Sequence, residues 1–191
     1  MIFKPLALGG AFLIDLEKRE DSRGFFSRYF CEKEYSSHGL ETRWVQMNTS
    51  LTRQPGSLRG LHFQRPPKAE AKVVRCLSGA IWDVLVDLRM GSPSFGKWLG
   101  FELNDVNRTM LYIPKGFAHG FQTLTDDCEM LYFHTATYQA GAEGGLNALD
   151  FRLAIKWPLG VTILSDRDRS HPMLTNEFEG FSEEHNHAKH H

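Results

Sequence analysis

Short segments in which apolar and polar residues alternate, each ending at a group of turn residues, dominate this sequence. Alternation with a period of two places successive side chains on opposite faces of a β-strand. The clearest pair is Lys72–Leu77 and Ala80–Leu88, separated by Ser78–Gly79. Helix is scarce, and only Cys31–His38 is predicted as a short helix. The spacing of the turn signals therefore predicts an all-β fold, a double-sheet barrel of the jelly-roll kind.

No internal repeat and no linker divides the 191 residues, so we expect a single domain over residues 1–175. The final segment, 176–191, ends in EEHNHAKHH and is predicted to be a disordered, His-rich tail. The further predicted strands are Gly24–Phe30, Trp44–Leu51, Leu58–Phe63, Trp98–Leu103, Met110–Ile113, His119–Thr123 and Cys128–Thr137.

Charge and hydropathy exclude several classes of protein. The formal net charge is −1 at pH 7, whereas a general nucleic-acid surface would be clearly basic. The N-terminal apolar residues are interrupted by Pro5 and Gly9, and no apolar run approaches the roughly 20 residues that span a bilayer. We therefore expect a cytoplasmic protein with no membrane partner. The cysteines form no CxxC pair and are predicted to be buried thiols: Cys31, Cys76 and Cys128.

Two histidines stand in predicted strands beside glycines. In the segment LRGLHFQ, alternation places His62 and Gly60 on one face and Arg59 on the other. A glycine beside an inward-pointing histidine is expected to leave room for a ligand. The later segment PKGFAHGF is a turn followed by a strand that carries His119. A lone strand histidine is more often a core residue, so the case depends on the two segments together.

These two segments resemble the two signature motifs of the cupin superfamily, whose metal-binding members carry three histidines and one carboxylate. Here Gln64 stands where the first motif would have its second histidine. His62, His119 and Glu70 would be a poor set for zinc or iron, which usually take three well-placed protein ligands. The resemblance implies a cupin barrel without a metal, which acts through acid–base side chains or only binds a ligand.

A closer resemblance runs in order from about residue 3 to about residue 175. The segments that carry it are Asp21–Phe26, Gln46–Ser50, Leu58–Gln64, Ala71–Arg75, Asp83–Arg89, Gly91–Pro93, Ile113–Phe121, Leu131–Tyr132 and Leu164–Asp168. Together they resemble the dTDP-4-dehydrorhamnose 3,5-epimerase family. The resemblance implies a cofactor-independent isomerase of deoxysugar and polysaccharide biosynthesis that epimerises a nucleoside-diphosphate 4-keto-6-deoxyhexose. It also implies a homodimer with exchanged N-terminal strands.

Epimerisation beside a ketone needs a base, a group that stabilises the enolate, and an acid on the opposite face. His62 is the candidate base, because imidazole titrates near neutral pH. The resemblance implies Asp168 as its partner and Tyr132 as the acid, while Lys72, pointing inward, would stabilise the enolate and is expected to pair with Asp83. Without the resemblance, Asp168 is equally a turn aspartate, Lys72 a surface lysine and Tyr132 a core aromatic.

The resemblance also implies a set of substrate-binding residues. They are Arg23, Arg59 and Arg167 for the phosphates, Gln46 and Asn48 for the nucleoside, and Phe26, His119 and Glu143 for further contacts.

Three departures from the family pattern concern the substrate. Arg28 replaces a usual glutamate, Phe133 and His134 replace a stretch that commonly begins with lysine, and Leu146–Asp150 replaces a Trp-Asn-Asp-Pro stretch. They leave open whether the nucleotide is dTDP or CDP, and whether C3, C5 or both are inverted. The sequence is also compatible with a non-catalytic sugar-nucleotide-binding barrel or with a metal-dependent cupin enzyme.

Overall fold

A computed structural model describes residues 1–182 as two large antiparallel sheets, a separate hairpin and short helices. The strands are β1 (Ile2–Pro5), β2 (Phe12–Asp15), β3 (Arg19–Asp21), β4 (Gly24–Phe26), β5 (Gln46–Thr52), β6 (Leu58–Gln64), β7 (Lys72–Ser78), β8 (Ala80–Asp87), β9 (Trp98–Asn104), β10 (Met110–Ile113), β11 (Phe117–Thr123), β12 (Cys128–His134) and β13 (Glu143–Gly145). The helices are α1 (Glu32–Ser37) and α2 (Asp166–Arg169).

The two sheets have the crossed strand order of a jelly roll. The six-stranded sheet runs β1-β2-β10-β7-β12-β5, and the five-stranded sheet runs β13-β6-β11-β8-β9. Strands β3 and β4 pair only with each other, and their residues are exposed. The predicted all-β double-sheet fold is confirmed. Strands β1 and β2 were not predicted. Strand β1 pairs with β2, and β2 pairs with β10 of the same chain.

The inner faces of the sheets form one hydrophobic core. Val74 and Met130 from the six-stranded sheet pack with Leu85 and Phe121 from the five-stranded sheet, and all four are buried. The outer face of the six-stranded sheet is covered by a second cluster that includes Tyr35 of α1. Because β7 and β12 have apolar groups packed on both faces, the strands that carry Lys72 and Tyr132 are held firmly in the sheet.

The outer face of the five-stranded sheet is covered by the chain that follows β13. Phe178 and Phe181 pack against a buried cluster on this face that includes Leu88, and the Phe181 amide donates to the Leu88 carbonyl at 2.8 Å. The packed structure therefore continues to residue 182, past the predicted start of a tail at residue 176. Residues 183–191, the rest of that predicted tail, lie outside the described residues.

Local predictions meet different outcomes. Cys76 and Cys128 are buried as predicted, whereas Cys31 is only partly buried because it lies at the start of α1. The predicted strand Gly24–Phe30 ends at Phe26, because the chain leaves the hairpin there to reach α1. Over residues 1–182, no helix has the length and apolar character needed to cross a membrane.

Candidate active site

A cavity of about 280 Å³ opens between the two sheets. One wall comes from β6, β11 and β13 of the five-stranded sheet, and the other from β5, β7 and β12 of the six-stranded sheet. The predicted residues that line it are Asn48, Arg59, His62, Lys72, His119, Tyr132 and Glu143. A larger cavity of about 560 Å³ lies around Pro66, Lys115 and Phe181, but its lining contains none of the predicted site residues. The smaller cavity is therefore the candidate active site.

A β-bulge in β6 brings Arg59 and His62 to the same cavity. His62 pairs with His119 and Arg59 pairs with Phe121, so three steps along β6 match only two along β11. The alternation that predicted opposite faces for Arg59 and His62 is therefore wrong at this point. An extra residue in a strand reverses the faces of the residues that follow it.

Gly60 has a different role from the predicted one. Its φ is +117°, and a Cβ built there would lie 2.6 Å from the Gly120 Cα on β11. Only glycine fits such a conformation and such a close approach. Gly60 therefore allows β6 and β11 to come together at the bulge, and the prediction that it leaves room for a ligand is wrong.

Asp168 holds the His62 ring from behind the cavity wall. Its Oδ1 lies 2.7 Å from His62 Nε2, and its Oδ2 accepts the Gly60 amide at 3.2 Å. The Ser165 hydroxyl caps α2 by accepting the Asp168 amide at 3.1 Å, which fixes the carboxylate. The Asp168 side chain is 7% exposed and the His62 side chain 30%. With Nε2 bonded to Asp168, Nδ1 is the nitrogen with which the ring can accept a proton from a ligand.

The surroundings of Asp168 keep its carboxylate ionised. Burial by itself raises the pKa of this group. The hydrogen bond and charge of His62, the Gly60 amide and the charge of His171 lower the pKa by a larger amount. The net pKa is below the ordinary value for aspartate. An ionised carboxylate in this position orients the imidazole and stabilises its protonated form.

Tyr132 lies on the opposite wall, on β12. Its hydroxyl lies 2.9 Å from the Ser50 Oγ of the neighbouring strand β5. Burial raises the pKa of Tyr132 to about 12, although the hydrogen bond to Ser50 acts in the other direction. The phenol is therefore protonated at neutral pH and can donate a proton.

Lys72 begins β7 on the same wall and is paired with Glu70. The Lys72 Nζ lies 3.0 Å from Glu70 Oε1, and the His134 Nδ1 lies 2.9 Å from Glu70 Oε2. Burial alone raises the pKa of Glu70, but the hydrogen bond from His134 and the charge of Lys72 bring it below its ordinary value. Lys72 is thus an inward cavity residue held by a carboxylate.

The expected pairing of Lys72 with Asp83 is wrong. Asp83 is fully buried on β8, and both of its carboxylate oxygens lie 2.9 Å from His119 Nε2. Strands β8 and β11 are neighbours, which brings these two side chains together. Burial raises the pKa of Asp83, against the lowering effects of His119 and of the Lys72 charge. Asp83 therefore orients His119 at the floor of the cavity.

Gln46, Glu143 and Arg167 form a linked group at the rim. The Gln46 amide nitrogen donates to Asn48 Oδ1 at 3.3 Å, and its Oε1 accepts the Tyr138 amide at 2.9 Å. The Tyr138 hydroxyl donates to Glu143 at 2.9 Å, and Arg167 forms an ion pair with the same carboxylate. The structure thus brings these three predicted residues to the cavity or its edge.

Arg23 and Phe26 are the predicted site residues that lie elsewhere. Both belong to the β3–β4 hairpin, and neither lines the cavity of its own chain. The Arg23 side chain is exposed and pairs with Asp21 at 2.6 Å, while Phe26 is 70% exposed. Arg28, which replaces the usual glutamate of the family, pairs with Glu34 at 2.7 Å.

One group of side chains over residues 1–182 has the spacing of a metal site. The ligand atoms of His62, Asp168 and His171 all lie within 4.8 Å of one another. The set considered from the sequence does not assemble, because His119 bonds to Asp83 and Glu70 bonds to Lys72 and His134. A divalent cation on the observed group would occupy the atoms that form the His62–Asp168 hydrogen bond.

Several residues at the site were not assigned by sequence reasoning. Glu70 was considered only as a metal ligand, and His134 only as a departure from a family pattern. Strand alternation offered a signal for both, since Glu70 is two residues before Lys72 and His134 two residues after Tyr132. Ser50 carried the same signal, two residues after Asn48, whereas Tyr138 carried none because it lies in a loop.

The fold and the cavity together define a class of protein. It is a jelly-roll barrel of the cupin type whose cavity has an imidazole–carboxylate pair on one wall and a phenol and a lysine on the other. Comparison with known proteins gives the family. The family model for dTDP-4-dehydrorhamnose 3,5-epimerase matches residues 5–176. The chain belongs to this family.

Three relatives illustrate the similarity. The dTDP-4-dehydrorhamnose 3,5-epimerase of Sinorhizobium fredii is 45% identical over 175 residues, covering 91% of this chain and 90% of the relative. A dTDP-4-dehydrorhamnose 3-epimerase of Streptomyces niveus is 39% identical, covering 91% of this chain and 84% of the relative. The crystal structure of the Legionella pneumophila 3,5-epimerase in complex with dTDP-4-keto-L-rhamnose matches with a TM-score of 0.84 and 38% identity, covering 90% of this chain and 92% of that one.

Proposed function

We propose that this chain catalyses the 3,5-epimerisation of dTDP-4-keto-6-deoxyglucose to dTDP-4-dehydrorhamnose. The observation that carries the proposal is the placement of His62 with Asp168 on one wall of a cavity and Tyr132 with Lys72 on the other. A base and an acid on opposed walls are what inversion of a carbon beside a ketone requires. Membership of the family and the sugar nucleotide bound to the Legionella relative support this substrate.

In the proposed reaction, His62 Nδ1 removes the proton from C3 or C5 of the sugar. The C–H electron pair forms the enolate double bond, and the negative charge develops on the C4 oxygen. The Lys72 ammonium stabilises that oxygen. Tyr132 then donates its proton to the other face of the same carbon, which inverts the centre. The imidazolium and the phenolate return to their starting states by proton exchange with solvent, and no electrons are gained or lost overall.

The electrostatics of the two walls suit these roles. Asp168 is ionised, because its pKa is held below the ordinary value, so it favours the imidazolium that forms when His62 takes a proton. The pKa of Tyr132 is raised to about 12, so the phenol carries its proton at neutral pH. Arg59 lines the cavity and Arg167 lies at its rim, where guanidinium groups can bind the diphosphate in a bidentate manner.

We also infer a homodimer. Strand β5 is one of the two edge strands of the six-stranded sheet, and its Met47 is 62% exposed. Phe26 is exposed on a hairpin that pairs with no other described strand of its chain. A second copy docking here would cover these apolar groups and bring Arg23 and Phe26 to the neighbouring cavity. The free cysteines favour a reducing, cytoplasmic location.

Proton exchange in heavy water tests the reaction. The chain is incubated in D₂O with dTDP-4-keto-6-deoxyglucose, and in parallel with its CDP counterpart, and NMR follows deuterium at C3 and C5. We expect deuterium at both carbons of the dTDP sugar. Deuterium at C3 alone would indicate a 3-epimerase like the Streptomyces niveus relative. Binding of the dTDP sugar without exchange at either carbon would contradict the proposal and indicate a non-catalytic barrel.

A further inference from the structure

Glu70 is an enclosed carboxylate inside the cavity wall. Its side chain is only 8% exposed, and each carboxylate oxygen has its own partner. Oε1 lies 3.0 Å from Lys72 Nζ, and Oε2 lies 2.9 Å from His134 Nδ1. A buried carboxylate with both oxygens bonded has little freedom to move. Glu70 is therefore a fixed point against which Lys72 and His134 are held.

His134 connects this point to two further site residues. Its Nε2 lies 3.3 Å from Asn48 Nδ2, and its ring stacks on Tyr132 with 6.2 Å between centroids and 21° between planes. A neutral imidazole with the proton on Nδ1 satisfies both polar contacts, since Nδ1–H donates to Glu70 and Nε2 accepts from the Asn48 amide. This chain of contacts joins Lys72, on β7, to Asn48, on β5.

Lys72 needs such a support if it is to stabilise the enolate. A lysine ammonium is a strongly hydrated point charge on a flexible stem with rotatable donors. It has three N–H groups, and Glu70 engages it from one side, which leaves donors for the C4 oxygen of the sugar. Strand pairing places His134 directly opposite Lys72, so the ring that anchors Glu70 is itself held on the strand next to the lysine.

We propose that Glu70, held by His134, is a positioning residue that sets the place of the Lys72 ammonium for enolate stabilisation. The proposal rests on the role of Lys72 in the proposed function. In this proposal Glu70 acts on the reaction through the lysine, to which it is bonded, and takes no part in the proton transfer.

The test is a double-mutant cycle with Glu70→Ala, Lys72→Met and the combined variant, measured as kcat and KM for the dTDP sugar and as C–H exchange in D₂O. Misplacing a catalytic group by about 1 Å can cost about 100-fold in rate, so we expect Glu70→Ala to lower kcat about 10- to 100-fold with KM changed less than about 3-fold. Glu70→Gln keeps an oxygen for Lys72 and is expected to restore most of the rate. In the Lys72→Met background, Glu70→Ala should have no further effect.

Two comparisons guard against a purely structural effect. Glu41→Ala removes the carboxylate of the Lys115–Glu41 ion pair, which lies outside this cavity, and should leave kcat unchanged. If Glu70→Ala fails to fold by circular dichroism, His134→Leu removes the other anchor of Glu70 and is expected to lower kcat several-fold, again only when Lys72 is present.

The outcomes separate this proposal from the proposed function. If Lys72→Met is severely impaired but Glu70→Ala has a normal kcat, the positioning role is wrong and the proposed function stands. If the losses from Glu70→Ala and Lys72→Met multiply in the combined variant, Glu70 acts independently of the lysine and the proposal is overturned. If Lys72→Met turns over normally, the enolate role assigned to Lys72 fails, and this inference fails with it.

Discussion

The two walls of the cavity position their chemical groups by different structural means. On the five-stranded sheet, His62 depends on a bulge in β6, on Gly60 and on a carboxylate from α2 more than 100 residues later in the chain. On the six-stranded sheet, β12 pairs with β7 in continuous register from Met130 to His134, the stretch that contains Tyr132 and lies opposite Lys72, and the register shifts only before Met130. The first wall thus depends on a bulge at the site and on a carboxylate from a helix, whereas the second depends on pairing between neighbouring strands.

The walls also differ in the protonation state that they favour. The pKa of Asp168 lies below its ordinary value, so the first wall carries a negative charge ready to stabilise an imidazolium. The pKa of Tyr132 is raised to about 12, so the second wall holds a neutral proton donor. Environments that move pKa values apart in this way are how one cavity provides both a base and an acid. Substitutions on each wall can test this division of roles.

The largest effect is expected from removing the base. His62→Ala should lower turnover of the dTDP sugar by about 10²–10⁴-fold, since a positioned acid or base supplies about that factor. It should also abolish deuterium exchange at both C3 and C5, because no group remains on that wall to remove the proton. His38→Ala, at an exposed histidine stacked on Phe3, is the matched control and should behave as the wild type. Normal exchange in His62→Ala would show that the base lies elsewhere.

Removing the acid should separate exchange from inversion. We expect Tyr132→Phe to lower formation of the epimerised product about 10- to 100-fold, a smaller loss than for the base, because solvent can supply a proton slowly. His62 can still remove and return a proton on its own face, so deuterium should enter the sugar with retained configuration. NMR of the recovered sugar distinguishes the two results. Loss of exchange and inversion to the same extent would contradict separate roles for the two walls.

Sequence reasoning was more successful on the regular wall. Alternation predicted the strands that carry Lys72 and Tyr132, because the period of two holds wherever the ladder is unbroken. It failed at Arg59, since a one-residue bulge exchanges the two faces and leaves no periodic mark in the sequence. It also assigned Lys72 to the wrong carboxylate, because Asp83 and Glu70 are both near β7 and only the folded sheets show which one His119 takes.

The long-range partners of the site could not be derived from local pattern. Asp168 stands in a charged loop, and only the family resemblance linked it to His62, which is 106 residues away. Alternation with Asn48 marks Ser50 as a cavity residue, but only the pairing of β5 with β12 shows that its partner is Tyr132. By contrast, the double-sheet fold follows from the alternating pattern and the turns, since these are repeated along most of the chain.

A smaller effect concerns stability, and it should have opposite pH dependence on the two walls. The folded pKa of Asp168 is depressed, so its contribution is present above the unfolded pKa of about 4 and is lost as pH falls through the folded value. Asp168→Asn should therefore lower the free energy of unfolding by about 1–3 kcal/mol at pH 7, and by less in acid. The folded pKa of Tyr132 is raised, so its contribution is lost only as pH rises towards about 12. Urea unfolding of the wild type and of Asp168→Asn between pH 3 and pH 7 measures how the difference in their free energies of unfolding changes with pH. A constant difference over that range would contradict the charge assigned to Asp168.

The smallest effect, no change in rate, is expected from chelation. The first wall contains a group that resembles a metal site, since the ligand atoms of His62, Asp168 and His171 lie within 4.8 Å of one another. A cation there would bind the ring nitrogen that now contacts Asp168 and would leave the ring's other nitrogen protonated, so His62 would no longer act as a base. Proton transfer by side chains alone therefore predicts that exhaustive treatment with EDTA leaves kcat unchanged, with metal content followed by elemental analysis. A loss of turnover that returns on adding one particular divalent cation would overturn the division of roles, because the first wall would then act through a metal ion.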